Sequence, residues 1–237
     1  MGRYLLGFVL CFIPWTCFGA DFLFDPGHSP DKPGSMSCQG TYEYVYNDNL
    51  LQAIGTFLTA HGLQIDVTRR VGENISLQKR AELSKGKKLF VSIHHDSAQA
   101  KYIKTVNGHP VSDKVEGYSI FVSRKNPYFD QSLFYARVLG IMLYAHGLRP
   151  STHHGEAIPG ENRLLLDPFL GIYQYDDLIV LKNALAPAFL LEAAVIINPK
   201  DEQLARNPVF QQSIAESFDF LLRFVDADSR SGPRRIR

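Results

Sequence analysis

The chain reads as an α/β layer structure with a largely parallel sheet. Two observations predict this. From Asp21 onward short apolar runs alternate with amphipathic segments, and the order strand, helix, strand repeats. A third observation sets the scale: a little over 200 residues follow the N-terminal segment, which suits one domain with a substantial core.

Phe22-Leu23-Phe24 reads as a buried strand, cut by the turn formers Asp25-Pro26-Gly27. Val45, Leu50, Leu51, Ile54 and Leu58 recur at helical spacing between Glu43 and Ala60, and His61-Gly62 supplies the stop. Gln64 to Thr68 follows as a strand. Ile75 to Lys85 reads as a helix, with Asn74 or Ser76 near its cap, and Lys88 to Ile93 as a third buried strand. Farther on, Gly117 to Ser123 is a strand and Gln131 to His146 an amphipathic helix ended by Gly147. Phe189 to Leu191 is a short buried run, and Pro208 to Val225 a terminal helix. Ser151 to Leu185 has mixed character with several turn residues. Residues 227–237 are polar and read as a disordered basic tail. No internal repeat or low-complexity tract is visible.

Met1 to Arg3 makes a short basic start, an apolar stretch of about 15 residues follows, and Gly19-Ala20 ends it with small side chains. Residues 1–20 therefore read as a cleaved export signal. A spanning helix needs about 20 apolar residues, and Pro14 interrupts this run. Cleavage removes Cys11 and Cys17, leaving Cys38 without an internal disulfide partner. Formal net charge is +1, from 25 basic and 24 acidic residues, which argues against nucleic acid as the main partner. The expected product is an exported monomer of the periplasm or cell envelope, with no stable membrane anchor.

His28 lies just past the first strand and His94 at the end of the third. In an open α/β sheet these carboxyl ends gather at one edge, where ligands bind. Glu43 opens the first helix, whose dipole tolerates a carboxylate there. Two imidazoles and a carboxylate suit zinc, leaving a fourth position for water. Glu192, after the buried run at Phe189, is a candidate general base and acid. A salt-bridged surface glutamate is the plainer reading of that residue. His61 and His146 precede glycine at helix ends, where a structural role is expected. His153-His154 is open to reading as an extra ligand or a substrate contact.

These residues fall into four ordered motifs: Phe24-Asp-Pro-Gly-His28 followed by Glu43, Val67-Thr-Arg-Arg70 with Ile75 to Arg80, Phe90-Val-Ser-Ile-His94, and Ala186 to Glu192 followed by Asn198-Pro-Lys-Asp-Glu202. Together they resemble the zinc-dependent N-acetylmuramoyl-L-alanine amidases of the amidase-3 type. The resemblance spans residues 21–226, the expected catalytic domain. It implies a single domain with a central mixed, mostly parallel sheet flanked by helices, similar to the zinc exopeptidases. It also implies that His28, Glu43 and His94 hold Zn2+ and that Glu192 is catalytic. The expected reaction is hydrolysis of the muramoyl-alanine amide in peptidoglycan or muropeptides by a water activated on zinc.

Two departures mark this chain. The family's usual Ala-Asn after the third ligand is His95-Asp96 here, and Ser29-Pro-Asp-Lys-Pro-Gly34 replaces a glycine-rich stretch. His95, His154, Glu156 and Arg163 are candidate substrate contacts. Ser151 to Leu185 reads either as a cover displaced by an activator protein or as part of a substrate groove. The other function classes are a zinc peptidase acting on wall fragments and a non-catalytic wall-binding module.

Overall fold

The computed structural model describes residues 19–158 and 162–231. The expected export signal lies outside these residues except for Gly19 and Ala20, and the end of the expected tail also falls outside them. The strands are β1 (Phe22–Pro26), β2 (Asp66–Val67), β3 (Leu89–Asp96), β4 (Lys104–Val106), β5 (His109–Val111), β6 (Ser119–Val122), β7 (Leu164–Asp167), β8 (Ile172–Gln174) and β9 (Ala188–Val195). The helices are α1 (Glu43–Ala60), α2 (Leu77–Glu82), α3 (Phe129–Ala145), α4 (Ile179–Lys182), α5 (Pro199–Ala205) and α6 (Pro208–Arg230).

Seven strands form one sheet in the order β2-β1-β3-β9-β6-β8-β7. The four on the β2 side run parallel, β6 is antiparallel to β9, and β7 is antiparallel to β8. The sheet is thus mixed and mostly parallel. Side chains alternate across it as the two-residue period requires. Phe22, Phe24, Val91, Ile93 and Leu191 pack toward α1, α3 and α6. Leu23, Phe90, Phe121 and Leu190 pack with Val180 and Leu181 of α4 on the opposite face. Strands covered on both faces read as apolar runs, which is why Phe22 to Phe24 of β1 and Leu89 to Val91 of β3 are wholly apolar.

Some elements differ from the sequence reading. β9 runs on through Val195, so Glu192 sits inside the strand rather than at its end. The terminal helix continues to Arg230, which moves the expected start of the tail beyond residue 227. Ser151 to Leu185 supplies β7, β8 and α4, and is therefore built into the sheet edge. β4 and β5 form a separate hairpin across Asn107 (φ 51°) and Gly108 (φ 82°). Left-handed backbone at both turn residues is the geometry that Asn-Gly favours. His61 and His146 are structural as expected: His61 Nδ1 contacts the Phe57 carbonyl at 2.8 Å, and His146 pairs with Glu216 at 3.7 Å.

The segment after β9 ties three parts of the fold together. Asn198 caps α5 and Pro199 occupies its first turn. Fully buried Glu202 accepts hydrogen bonds from the Tyr46 hydroxyl of α1, from Arg206 at 2.9 Å and from the Cys38 thiol at 2.6 Å. Burial and the neighbouring carboxylate push the Cys38 thiol up to about 12. Since the thiolate is the reactive form, iodoacetamide at pH 8 should label native Cys38 at least about 100-fold more slowly than the unfolded chain. Quench-flow labelling read by mass spectrometry checks this; equal rates would contradict the network.

Candidate metal centre

The site forms where β1, β3 and β9 end beside the start of α1. His28 follows β1 after the tight Pro26-Gly27 link and holds a left-handed backbone, φ 61°. That conformation is uncommon for a residue with a side chain. It is held from outside: Arg80 donates to the carbonyl oxygens of His28 (2.7 Å) and Pro26 (2.7 Å). Arg69 donates to the same His28 carbonyl at 3.0 Å. Each arginine has a buried acidic partner, Asp25 for Arg80 at 2.9 Å and Asp48 for Arg69 at 2.8 Å. Asp25 also accepts from Thr68 (2.5 Å) and Ser92 (2.8 Å). The sequence motifs contained both arginines, but their grip on the His28 carbonyl emerges only in three dimensions.

Glu43 is the first residue of α1 and is almost wholly buried. Its Oε2 faces His28 Nε2 at 3.2 Å, and its Oε1 faces His94 Nδ1 at 2.9 Å. The backbone N–H of Ser35 donates to it at 3.1 Å, and Asn47 Nδ2 at 3.3 Å. Burial alone would raise the Glu43 carboxyl, but the His94 hydrogen bond and the two imidazoles outweigh it and hold it down to about 2. It is therefore anionic at neutral pH, as a carboxylate offered to a cation must be. Burial lowers the His28 ring, which keeps it neutral and able to donate a lone pair. His28 Nδ1 contacts the Lys32 carbonyl at 3.1 Å, the kind of contact that orients an imidazole in metal sites. Two imidazole nitrogens and a carboxylate oxygen converge within 4.8 Å, a donor set that fits zinc.

Glu192 lies opposite His94 in the pairing of β3 with β9. Its Oε2 is buried and has no hydrogen-bond partner among the described residues. Burial, then Asp96 and Glu43, push its carboxyl well above the ordinary range. His28, His94 and Glu192 all line a cleft of about 820 Å³. One wall comes from Ile75 to Leu77 ahead of and into α2, the other from Leu178 to Val180 around the start of α4.

The expected substrate contacts separate from this cleft. His95 is 2% exposed and its Nδ1 meets Asn47 Oδ1 at 2.8 Å, on the α1 side of the sheet. Burial lowers its ring to about 4. It is a packed neutral histidine rather than a cleft residue, because neighbouring strand positions face opposite sides. Glu156 is engaged by Lys101 at 2.8 Å and by the Tyr102 hydroxyl, while Arg163 stacks on Tyr175 at 3.7 Å. His154 contacts Asp96 Oδ2 at 2.6 Å. None of these four lines the cleft.

The tight fit gives a test. A Cβ on Gly27 would overlap the His94 ring. Gly27→Ala should leave the far-UV dichroism intact yet weaken zinc binding by about 10-fold or more, the scale of displaced ligand geometry. Competition with a chromophoric chelator checks this; unchanged affinity would contradict the placement of His94.

Known proteins resemble this chain in sequence and in fold. Residues 23–219 match the family described as N-acetylmuramoyl-L-alanine amidase. The amidase AmiA of Salmonella typhimurium is 24% identical over 216 residues, covering 81% of this chain and 71% of that protein. The fold is shared with the amidase Ami1 of Mycobacterium smegmatis, at a TM-score of 0.69 and 20% identity over 87% of this chain and 96% of that one. An amidase of Clostridium difficile 630 aligns at a TM-score of 0.68 and 21% identity, over 88% of this chain and 98% of that one. A family match across most of the length, on a fold that assembles the His-Glu-His cluster, settles the assignment. The chain belongs to the N-acetylmuramoyl-L-alanine amidases, enzymes that hydrolyse the amide between N-acetylmuramic acid and L-alanine in peptidoglycan.

Proposed function

We propose that His28, Glu43 and His94 hold a catalytic zinc and that Glu192 is the proton carrier of the amidase reaction. The observation that carries this reading is the shared cleft: His28 and His94 face Glu43 from two strand ends, and Glu192 stands opposite His94 on the adjacent strand. Bound there, zinc supplies Lewis-acid activation of a water and of the scissile carbonyl.

Glu192 takes a proton from the attacking water and passes it to the departing alanine nitrogen. The amide C–N bond breaks, leaving a muramic carboxylic acid and a free amine. A buried carboxylate whose Oε2 has no hydrogen-bond partner among the described residues is suited to this exchange, because burial raises its affinity for a proton. Arg69 and Arg80 keep the His28 backbone in place through its carbonyl oxygen. Leu178, Ile179 and Leu190 give the cleft apolar surface, while Lys32, Asn74 and Gln78 offer hydrogen bonds to sugar or peptide groups. Because Ser151 to Leu185 is built into the sheet and the cleft wall, we assign it to substrate positioning rather than to covering the site.

The N-terminal signal pattern supports export to the cell envelope, where peptidoglycan is found. Among the described residues no helix is long and apolar enough to cross a membrane.

Zinc-loaded protein incubated with muropeptides should release intact stem peptide, identified by mass spectrometry. Cuts within the peptide would instead indicate a peptidase. Glu192→Gln should retain zinc while losing about 10²-fold to 10⁴-fold in turnover, the usual contribution of a positioned acid-base group. Undiminished turnover in that variant would remove Glu192 from the mechanism.

A further inference from the structure

A second cluster stands apart from the His28, Glu43 and His94 centre. Asp96 is the last residue of β3, two positions after His94. His153 and His154 come from the short 3-10 turn that follows Ser151 and Thr152. His154 Nε2 lies 2.6 Å from Asp96 Oδ2, and His153 Nε2 lies 3.4 Å from the same oxygen. Both imidazoles thus present one nitrogen to one carboxylate.

Other contacts hold the three side chains in this pose. Ser151 Oγ meets His153 Nδ1 at 2.7 Å, and Gln99 Nε2 donates to the His153 carbonyl at 3.0 Å. The His154 ring packs edge-on against Phe121 at 5.0 Å and Tyr173 at 5.6 Å. The backbone N–H of Ser97 donates to the other Asp96 oxygen at 2.7 Å. These are the outer contacts that orient ligands in metal sites.

A hydrogen-bonded Asp-His pair accounts for only one of the two imidazoles. His153 is 5% exposed, and its Nε2 has no hydrogen-bond partner among the described residues although it points at Asp96. A buried imidazole nitrogen left in that state costs free energy unless something else receives its lone pair. The three ligand atoms lie within 4.8 Å of one another, as in the first cluster.

We propose that Asp96, His153 and His154 form a second binding site for a divalent transition metal of the zinc type. Two imidazoles and one carboxylate are a borderline nitrogen-oxygen set that zinc accepts and that magnesium or calcium, which prefer oxygen donors, does not. The slight exposure of Asp96 and His154 gives an ion access from solvent. The site lies one step farther along the sheet edge that carries His94 and Glu192, so its charge falls beside the cleft. It fastens the turn at residues 153–155 to β3 and thereby ties the β7 and β8 edge to the catalytic strands.

The test is metal stoichiometry, which is independent of activity. Purified protein saturated with zinc and then desalted should hold about two equivalents by plasma mass spectrometry. His94→Ala should reduce this to about one by emptying the first site. Asp96→Asn and, separately, His153→Asn with His154→Asn should also leave about one equivalent, with the His94-dependent ion retained. Circular dichroism identifies the folded variants, and the two independent changes guard against one that fails to fold. One equivalent in the unaltered protein, lost in His94→Ala, would overturn the second site while leaving the amidase mechanism intact. Two equivalents in either folded second-site variant would overturn it as well.

Discussion

The site depends on a buried ion pair at the base of the cleft. Asp25 is 1% exposed and Arg80 2%, and their contact at 2.9 Å lies beneath the turn that delivers His28. Such a pair contributes little net stability, because desolvation of two charges offsets most of their attraction. Its effect here is orientation. The guanidinium fork spans Asp25 and two backbone carbonyls at once, which only a planar, multiply donating group does. Arg69 repeats the device from the other side through Asp48. The left-handed backbone at His28 persists because two arginines converge on its carbonyl. Every later feature of the centre, from the Glu43 contact to the cleft, starts from that fixed carbonyl.

Small residues complete the constraint. Gly27 lies against the His94 ring and Gly34 against Glu43 and His28, so these three side chains occupy space that any larger residue would claim. The three side chains are therefore placed by packing and backbone contacts on rigid elements, which is what a reactive geometry requires.

Much of this was legible in the sequence, and the reasons differ by element. α1 was read at its true limits because its apolar period is regular and His61-Gly62 stops it. β1 and β3 were legible because strands buried on both faces read as unbroken apolar runs. β2 shrank to two residues because half-exposed edge sequence carries little signal. β7 and β8 were missed because three- and four-residue strands among turn formers resemble loop. The hairpin at β4 and β5 was missed although Asn107-Gly108 announces it. The four-motif resemblance located His28, Glu43, His94 and Glu192. It marked His95 as a departure and a candidate substrate contact, whereas strand facing buries that ring against Asn47, and it said nothing of the grouping of Asp96 with His153 and His154, which the fold assembles from distant segments.

The departures from the usual amidase pattern now have separate meanings. His95 fills the α1 face of the sheet, whereas Asp96 reaches toward His153 and His154. Placing His28 thus depends on the arginine clamp, while the residues that follow His94 face elsewhere. The most direct test of that dependence is the zinc dissociation constant of Arg80→Lys. Lysine keeps the positive charge near Asp25 but cannot span Asp25 and both carbonyls, so the folded variant should bind zinc about 10-fold to 100-fold more weakly. An unchanged dissociation constant in a folded Arg80→Lys protein would contradict the account.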